Sequence, residues 1–336
     1  MRVGINGFGR MGRLATRAAL GREDFDLVVI NEPHASAENL ALLLEFDSVQ
    51  GRWGTACRAE GEQILAGETR APVLHEDTPA AIDWAAHGVE LVLECSGQFR
   101  QPDLLAPHFQ EGVEAVLVSA PVGGDIPDIV VGVNHTDYAL AEHPIVTAAS
   151  CTTNCLAPIV RVIHDAIGIV HGSVTTLHDP TNTQRVHDAP HKDPRRARAS
   201  QLSLIPTSTN SAVAVTRIVP ELLGKLDSLA VRVPVLNASL VDCVFEMARE
   251  VTAEEINQAL REASRSGPLA GILGYEDRPL VSVDFAGDPR SGIVDARSTR
   301  VIDGRLAKVL AWYDNEWGYA NRMVELAGMI HAARRA

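Results

Sequence analysis

The first 32 residues constrain this chain more than any other stretch. Val3-Gly4-Ile5 reads as a short apolar strand, and Gly7-Phe8-Gly9-Arg10-Met11-Gly12 follows it at once. A helix-like segment, Arg13 to Leu20, leads to a second apolar strand, Leu27 to Ile30, which closes on Asn31-Glu32. A lone GxGxxG says little. Here it comes with a strand before it, a helix and strand after it, and an acidic residue 20 positions past the third glycine. Gly7, Gly9 and Gly12 permit a tight turn and let a pyrophosphate approach a helix N-terminus, where unpaired N–H groups and the dipole favour an anion. Glu32 is placed to accept hydrogen bonds from adenosine ribose hydroxyls. Its carboxylate would repel a 2′-phosphate, so NAD is expected rather than NADP.

Further apolar runs recur at Glu90–Glu94, Ala115–Ser119 and Ile129–Val133. Near-continuous runs of this kind suit strands buried on both faces of a parallel sheet. Residues 1–150 are therefore expected to form a doubly wound, parallel-sheet NAD-binding domain of α/β class. After Cys151 the pattern changes. A helix-like stretch, Thr153 to Ala166, precedes longer segments at Ser173–Leu177, Ala230–Pro234, Ala238–Met247 and Arg305–Tyr313. These read as strands of a mostly antiparallel sheet in an α+β catalytic domain over residues 151–318. Between Asp179 and Ser200 lies a polar segment without periodicity, and a loop that long inside a compact domain is usually functional. The tail, residues 319–336, carries Met323, Leu326, Ala327 and Ile330 at helical spacing and should complete the first domain as a closing helix.

The charge balance narrows the partners. Across 336 residues, Lys and Arg total 30 against 43 Asp and Glu, a net charge of −13. So acidic a chain makes nucleic acid and anionic membrane poor default partners. No apolar run approaches the ~20 residues needed to span a bilayer. Met1-Arg2 leads straight into a strand pattern without the form of a signal peptide, and a cytoplasmic location is expected. The five cysteines are too few, and odd in number, for a disulfide framework. Cys57, Cys95 and Cys243 sit in apolar or strand-like surroundings and read as small core residues. No metal site is expected, since Cys151 and Cys155 have no further ligands at matched spacing.

Ser150-Cys151-Thr152-Thr153-Asn154-Cys155 stands where the apolar segment Ile145–Ala149 gives way to a helix. A thiolate at a helix N-terminus is stabilised by the dipole and so made available as a nucleophile. His178 ends a strand and is the best placed of the 12 histidines to pair with Cys151. Alone, each residue has an ordinary reading as a packed thiol and a surface histidine. Their neighbours argue otherwise: Ser150, Thr152, Thr181, Thr183 and Thr209 supply hydroxyls, and Arg196 and Arg232 supply fixed positive charge. The run His191-Lys192-Asp193-Pro194-Arg195-Arg196-Ala197-Arg198 is cationic within an anionic chain, which suits either a solvated or subunit-contact face or phosphate binding.

With these residues in view, the chain resembles the glyceraldehyde-3-phosphate dehydrogenase family from end to end. The matching motifs are Ile5–Arg10, Ala149–Cys155, the His191–Arg198 loop, Leu204–Thr209 and Trp312–Tyr319. The resemblance implies a homotetramer, NAD, and oxidative phosphorylation of glyceraldehyde 3-phosphate through a thioester. It implies that Cys151 is the nucleophile, with His178 its base and later general acid. Thr181, Thr183 and Arg232 then match the positions that hold the substrate's C3 phosphate. Ser150, Thr152, Thr209 and Arg196 match those that hold the attacking phosphate. Arg10, Met11, Glu32, Ser119 and Asn315 match cofactor contacts, with Asn315 at the nicotinamide amide.

The chain departs from the family pattern in places. Asn210 stands where glycine is usual beside the attacking-phosphate threonine, Glu32 replaces the usual aspartate, and Asp77 lies where an arginine often flanks the adenine. His178-Asp179-Pro180-Thr181-Asn182 is also unusual. Leu236–Leu240, Ile272–Glu276 and Asp288–Ser291 resemble a narrower branch encoded beside arsenic-efflux permeases, in which arsenate replaces phosphate and yields 1-arseno-3-phosphoglycerate. Two other readings compete. An erythrose-4-phosphate dehydrogenase shares the scaffold but needs the attacking-phosphate site less, so Arg196 and Thr209 argue against it. A non-catalytic NAD-binding regulator would have an unreactive Cys151.

Overall fold

The computed structural model describes residues 1–336, which divide into two compact units: Met1–Ser150 with Ala320–Ala336, and Cys151–Tyr319. The first unit opens with β1 (Arg2–Asn6), α1 (Arg10–Ala19), β2 (Asp26–Asn31) and α2 (Ala37–Glu45). A short hairpin, β3 (Phe46–Asp47) and β4 (Gly51–Arg52), precedes β5 (Cys57–Ala59), β6 (Gln63–Ala66) and β7 (Thr69–Leu74). Then come β8 (Leu91–Glu94), α3 (Pro102–Leu105), β9 (Ala115–Val118) and β10 (Ile145–Thr147). The main sheet runs β10-β9-β8-β1-β2-β7-β6-β5. Its first six strands are parallel, while β6 and β5 add an antiparallel edge. Strand order reverses at β1, since β2 lies on one side and β8 on the other. That is the switch point outside which doubly wound sheets bind their ligands. β8 and β9 are buried along their whole length, as a sheet covered on both faces requires.

Ile129–Val133, expected as a strand, is not one. Only Asp128 bridges to Thr147, and the chain then turns. Asn134 explains the difference: its Oδ1 accepts the Val130 N–H at 2.7 Å and its Nδ2 donates to the Asp128 carbonyl at 2.9 Å. Gly132 takes φ +87, which a continuing strand does not allow. Ile129, Val130 and Val131 remain buried, so the apolar run reports burial without strand geometry. Among the cysteines read as core, Cys243 is fully buried, whereas Cys57 and Cys95 are half-buried; all five are free thiols.

In the second unit, α4 (Cys151–Ala166) leads to β11 (Ile169–His178), β12 (Ile205–Ser208), α5 (Ser211–Ile218), β13 (Leu226–Arg232) and β14 (Ser239–Met247). Next are α6 (Ala253–Arg265), β15 (Leu273–Glu276), β16 (Gly292–Ile302) and β17 (Leu306–Tyr313), and then α7 (Trp317–Arg335), which carries the chain back to the first unit. The sheet order is β12-β13-β11-β14-β17-β16-β15, antiparallel except for the β11/β13 and β15/β16 pairs. β14 alternates buried and half-buried residues throughout, the period-2 signature of a strand with one covered face. α4 lies against β11 and β14–β17 and packs on α5 and α6. Cys155 to Val160 are all buried within it. This fixes the helix, and hence the position of Cys151 at its first turn. No helix in the chain is long and apolar enough to cross a membrane.

Candidate active site

In the first unit the Gly-rich turn sits at the switch point. Gly7 has φ +88, and a Cβ added there would lie 2.4 Å from the Ser96 backbone nitrogen, just after β8. A Cβ on Gly12 would lie 2.3 Å from the Gly7 carbonyl oxygen. A Cβ on Gly9 would meet nothing within 4 Å, so the backbone there faces open approach. The N-terminus of α1 carries no side-chain cap and no acidic residue in its first turn. An anion therefore finds a positive dipole end that no acidic residue of the helix's own first turn neutralises. These features fit a pyrophosphate-bearing nucleotide.

Glu32 directly follows β2 with one oxygen committed: its Oε2 accepts the Phe8 N–H at 2.9 Å, pinning the Gly-rich loop. Oε1 lies 3.3 Å from the His34 N–H, and the residue is only half-buried, so carboxylate remains for a ribose. Arg10 pairs with Asp47, Met11 is half-buried on α1, and the Ser119 N–H donates to the Glu94 carbonyl at 2.9 Å. Beneath the strand ends, Asn31 donates to Asn6, Asn6 to Glu94, and Trp84 to His108 Nδ1 at 3.0 Å. Nδ1 is thus an acceptor, so His108 Nε2 carries the proton and donates to Glu94 at 3.1 Å. The expected discrimination is measurable. NAD should exceed NADP in kcat/KM by on the order of 100-fold, the scale of a like-charge contact. Glu32→Gln, which keeps an acceptor for Phe8 and removes the charge, should narrow that ratio. Equal use of both cofactors by the unmodified chain would refute the assignment.

In the second unit Cys151 opens α4, and its Sγ lies 3.7 Å from His178 Nε2. The preceding Ala149 is held at φ +56, a left-handed conformation that costs an alanine roughly 1 kcal/mol and is typically kept where geometry is functional. β11 and β13 run parallel and pair His178 with Arg232, so the last residue of each strand meets at one sheet end. Arg232 Nη1 lies 2.7 Å from His178 Nδ1 and donates to the Asp179 carbonyl at 2.8 Å. Asp179 Oδ1 lies 2.7 Å from the same Nδ1. Burial pulls the His178 pKa down, but the bonds to Asp179 and to the Cys151 sulfur outweigh it and leave it at about 9. Burial pulls the Arg232 guanidinium below its usual value.

The expected anion-binding residues fall into two groups. Thr181 and Thr183 place their hydroxyls 3.0 Å apart, and both donate to Gln184 Oε1. Gln184 Nε2 is buried without a protein partner. Arg196 is oriented by Nε, which donates to the Thr207 hydroxyl on β12 at 2.7 Å. Thr209 shares a 2.7 Å hydroxyl contact with Ser211 at the start of α5. Asn210 is the N-cap residue of α5, at φ −101, and its exposed side chain makes no capping bond. Any L-residue adopts that backbone, so asparagine is unstrained where glycine was the family expectation. Ser150 is half-buried before the thiol. Thr152 is buried, and its hydroxyl is joined to the Tyr313 OH at 2.9 Å, which also contacts Thr176. Asn315 Nδ2 donates to Asp179 Oδ2 at 3.0 Å.

Asp179, Tyr313, Gln184 and Ser239 were not singled out by the sequence as site residues. Tyr313 packs edge-on against the His178 ring at 5.9 Å. Ser239 lies 3.3 Å from Asp179 Oδ1 and 3.2 Å from Asn315 Oδ1. No local sequence signal marked these four. No group of His, Cys, Asp and Glu is arranged to hold a metal ion.

Residues 1–102 match the family model for the glyceraldehyde 3-phosphate dehydrogenase NAD binding domain, and residues 150–315 match that for its C-terminal domain. The chain is 59% identical over 330 residues to glyceraldehyde-3-phosphate dehydrogenase 3 of Nostoc sp., covering 98% of each. It is 47% identical to glyceraldehyde-3-phosphate dehydrogenase 1 of Bacillus subtilis over 330 residues and 48% identical to that of Zymomonas mobilis over 333, again with 98% of each chain covered.

Proposed function

This chain belongs to the glyceraldehyde-3-phosphate dehydrogenase family and is an NAD-dependent oxidoreductase, and we propose that it oxidises D-glyceraldehyde 3-phosphate through a thioester on Cys151. The observation that carries this reading is the 3.7 Å approach of Cys151 Sγ to His178 Nε2 at the first turn of a buried helix. The thiol proton passes to Nε2, and the thiolate attacks the aldehyde carbon. The resulting oxyanion takes the Nε2 proton and becomes the thiohemiacetal hydroxyl. NAD, held at the Gly-rich turn and Glu32, supplies the hydride acceptor when bound. As hydride leaves the carbon, the hydroxyl proton returns to Nε2 and the thioester forms. A tetrahedral oxyanion then attacks the thioester carbon, the C–S bond breaks, and sulfur leaves as thiolate. Thr181, Thr183 and Arg232 hold the C3 phosphate in this scheme, and Ser150, Thr152, Thr209 and Arg196 hold the attacking anion.

The attacking anion is phosphate or arsenate, giving 1,3-bisphosphoglycerate or 1-arseno-3-phosphoglycerate, with arsenate detoxification as the cellular role. A guanidinium binds both anions with similar geometry, so charge does not separate them. Asn210 is the residue free to do so, because its amide is exposed and makes no cap bond. NADH formation should be followed with phosphate and arsenate titrated separately. Arg196→Ala should raise KM for both by about tenfold, the loss of a charged hydrogen bond. Asn210→Gly should change their kcat/KM ratio, and an unchanged ratio removes Asn210 from the scheme. No NADH formation with arsenate refutes the detoxification role. The working form we propose is a cytoplasmic homotetramer. Five free thiols suit a reducing compartment, and exposed Leu202, Leu204, Leu236 and Val283 favour burial against other copies.

A further inference from the structure

We propose that Asp179 is a positioning residue for His178: its carboxylate takes the Nδ1 proton in a hydrogen bond, aims Nε2 at Cys151, and holds the pair as imidazolium and thiolate. This rests on the Cys151–His178 reading above and adds a third member to it.

Asp179 is 3% exposed, and its contacts come from three separate parts of the chain. Its N–H donates to Ser239 Oγ on β14 at 3.2 Å, and its carbonyl accepts from Arg232 on β13. Its Oδ2 accepts from Asn315, just beyond β17, while Oδ1 faces His178 Nδ1 at 2.7 Å. The carboxylate therefore cannot swing away without breaking bonds on every side. Burying a carboxylate is costly unless a cation compensates it. Two cationic groups are at hand, the imidazolium and Arg232. Arg232 Nη1 donates to the Asp179 carbonyl and also lies 2.7 Å from Nδ1, but two acceptors face that nitrogen, the Asp179 carboxylate at 2.7 Å and its carbonyl at 2.8 Å, which leaves His178 as the cation in direct contact with the carboxylate.

Four groups that can titrate or carry charge face the imidazole. Cys151 lies at Nε2, Asp179 and Arg232 at Nδ1, and Tyr313 edge-on beside the ring. Arg232 and burial favour the neutral ring, whereas Asp179 and the sulfur favour the charged one, and the second pair prevails. With Nδ1–H given to Asp179, Nε2 is the only position that exchanges a proton with sulfur, so the carboxylate fixes which ring nitrogen works. Removing its charge shifts the equilibrium from thiolate–imidazolium toward thiol–imidazole, about tenfold for each pKa unit that His178 loses.

The test is iodoacetamide alkylation of Cys151 in the NAD-free protein from pH 5 to 10, for the unmodified chain and Asp179→Asn. The unmodified chain should react rapidly at pH 7. Asp179→Asn should react about 10–100-fold more slowly there, with its profile displaced to higher pH by one unit or more. A fast unmodified chain and an Asp179→Asn profile superimposable on it overturn the role of Asp179 and leave the thiol reading intact. A Cys151 that is unreactive at pH 7 in the unmodified chain overturns the thiol reading itself. Should Asp179→Asn fail to fold, imidazole nitrogen shifts of Cys151→Ser decide, since that chain lacks the sulfur that also favours the charged ring, with His178→Asn used for assignment. A His178 ring still protonated above pH 8 supports the role, and a midpoint near 6.5 refutes it.

Discussion

Cys151→Ser is expected to retain less than about one part in 10⁴ of the aldehyde oxidation, a loss of the size seen when an activated nucleophile is removed. A serine hydroxyl does not ionise against an imidazole as a thiol does, so neither the thiolate nor the thioester forms. NAD affinity should stay within about twofold, because the Gly-rich turn and Glu32 are untouched. Cys155→Ser is the matched control. Cys155 lies one turn further into α4 and is fully buried, and burial, with Cys243 and Cys151 nearby, pushes its thiol well above the usual range. A Cβ on Gly292 would lie 2.8 Å from its Sγ, so packing there is tight. Its replacement should cost about 1 kcal/mol for burying a hydroxyl, while activity survives. An inactive Cys155→Ser beside an active Cys151→Ser would reverse the assignment. Steady-state NADH formation and fluorescence titration of NAD, run on both variants, give the answer.

Gly7→Ala is expected to lower stability by about 3 kcal/mol or more and to abolish measurable NAD binding. A left-handed alanine costs roughly 1–2 kcal/mol by itself. The larger part comes from Ser96, whose backbone N and Cα would stand 2.4 and 2.5 Å from the new methyl. Backbone at the end of β8 has no rotamer to yield. The turn would have to move instead, breaking the Gly7 N–H bond to the Asn31 carbonyl at 2.8 Å and the Phe8 bond to Glu32. Gly9→Ala makes the contrast. Its Cβ meets open space, so stability should change by less than about 1 kcal/mol while NAD binding weakens. Urea unfolding of both variants separates the two effects. A Gly7→Ala protein as stable as the unmodified chain would mean the loop is softer than its contacts imply.

The β1–α1–β2 unit was legible because its evidence is local: apolar runs, a glycine spacing and one acid within 32 residues. The Cys151–His178 pair was legible from a helix start and a strand end. Ile129–Val133 misled because an apolar run reports burial, and only Asn134's side-chain bonds turn that segment. The strands β5 to β7, which carry the sheet into its antiparallel edge, went unread, since they are short and partly exposed. β12 and β16 were also missed, the first a four-residue strand inside a recognised motif. Asp179 was invisible for a different reason. Its partners Ser239 and Asn315 are 60 and 136 positions away, and only the folded sheet brings them together.

The first unit is assembled from two pieces of chain, and that has a consequence for synthesis. Residues 320–336 belong to it although residues 151–319 intervene. Within α7, Ala320, Met323, Leu326, Ala327 and Ile330 are fully buried, while Arg334 and Arg335 reach the His143 carbonyl and Glu90. A ribosome making roughly 5–20 residues per second would therefore hold the N-terminal sheet without its closing helix for about 10–30 s. During that interval the surface awaiting α7 stays open to solvent and to other nascent chains. The second unit is continuous in sequence and carries no such delay. A stall or truncation near the C-terminus would thus damage the nucleotide-binding half first, although its strands were the earliest to leave the ribosome.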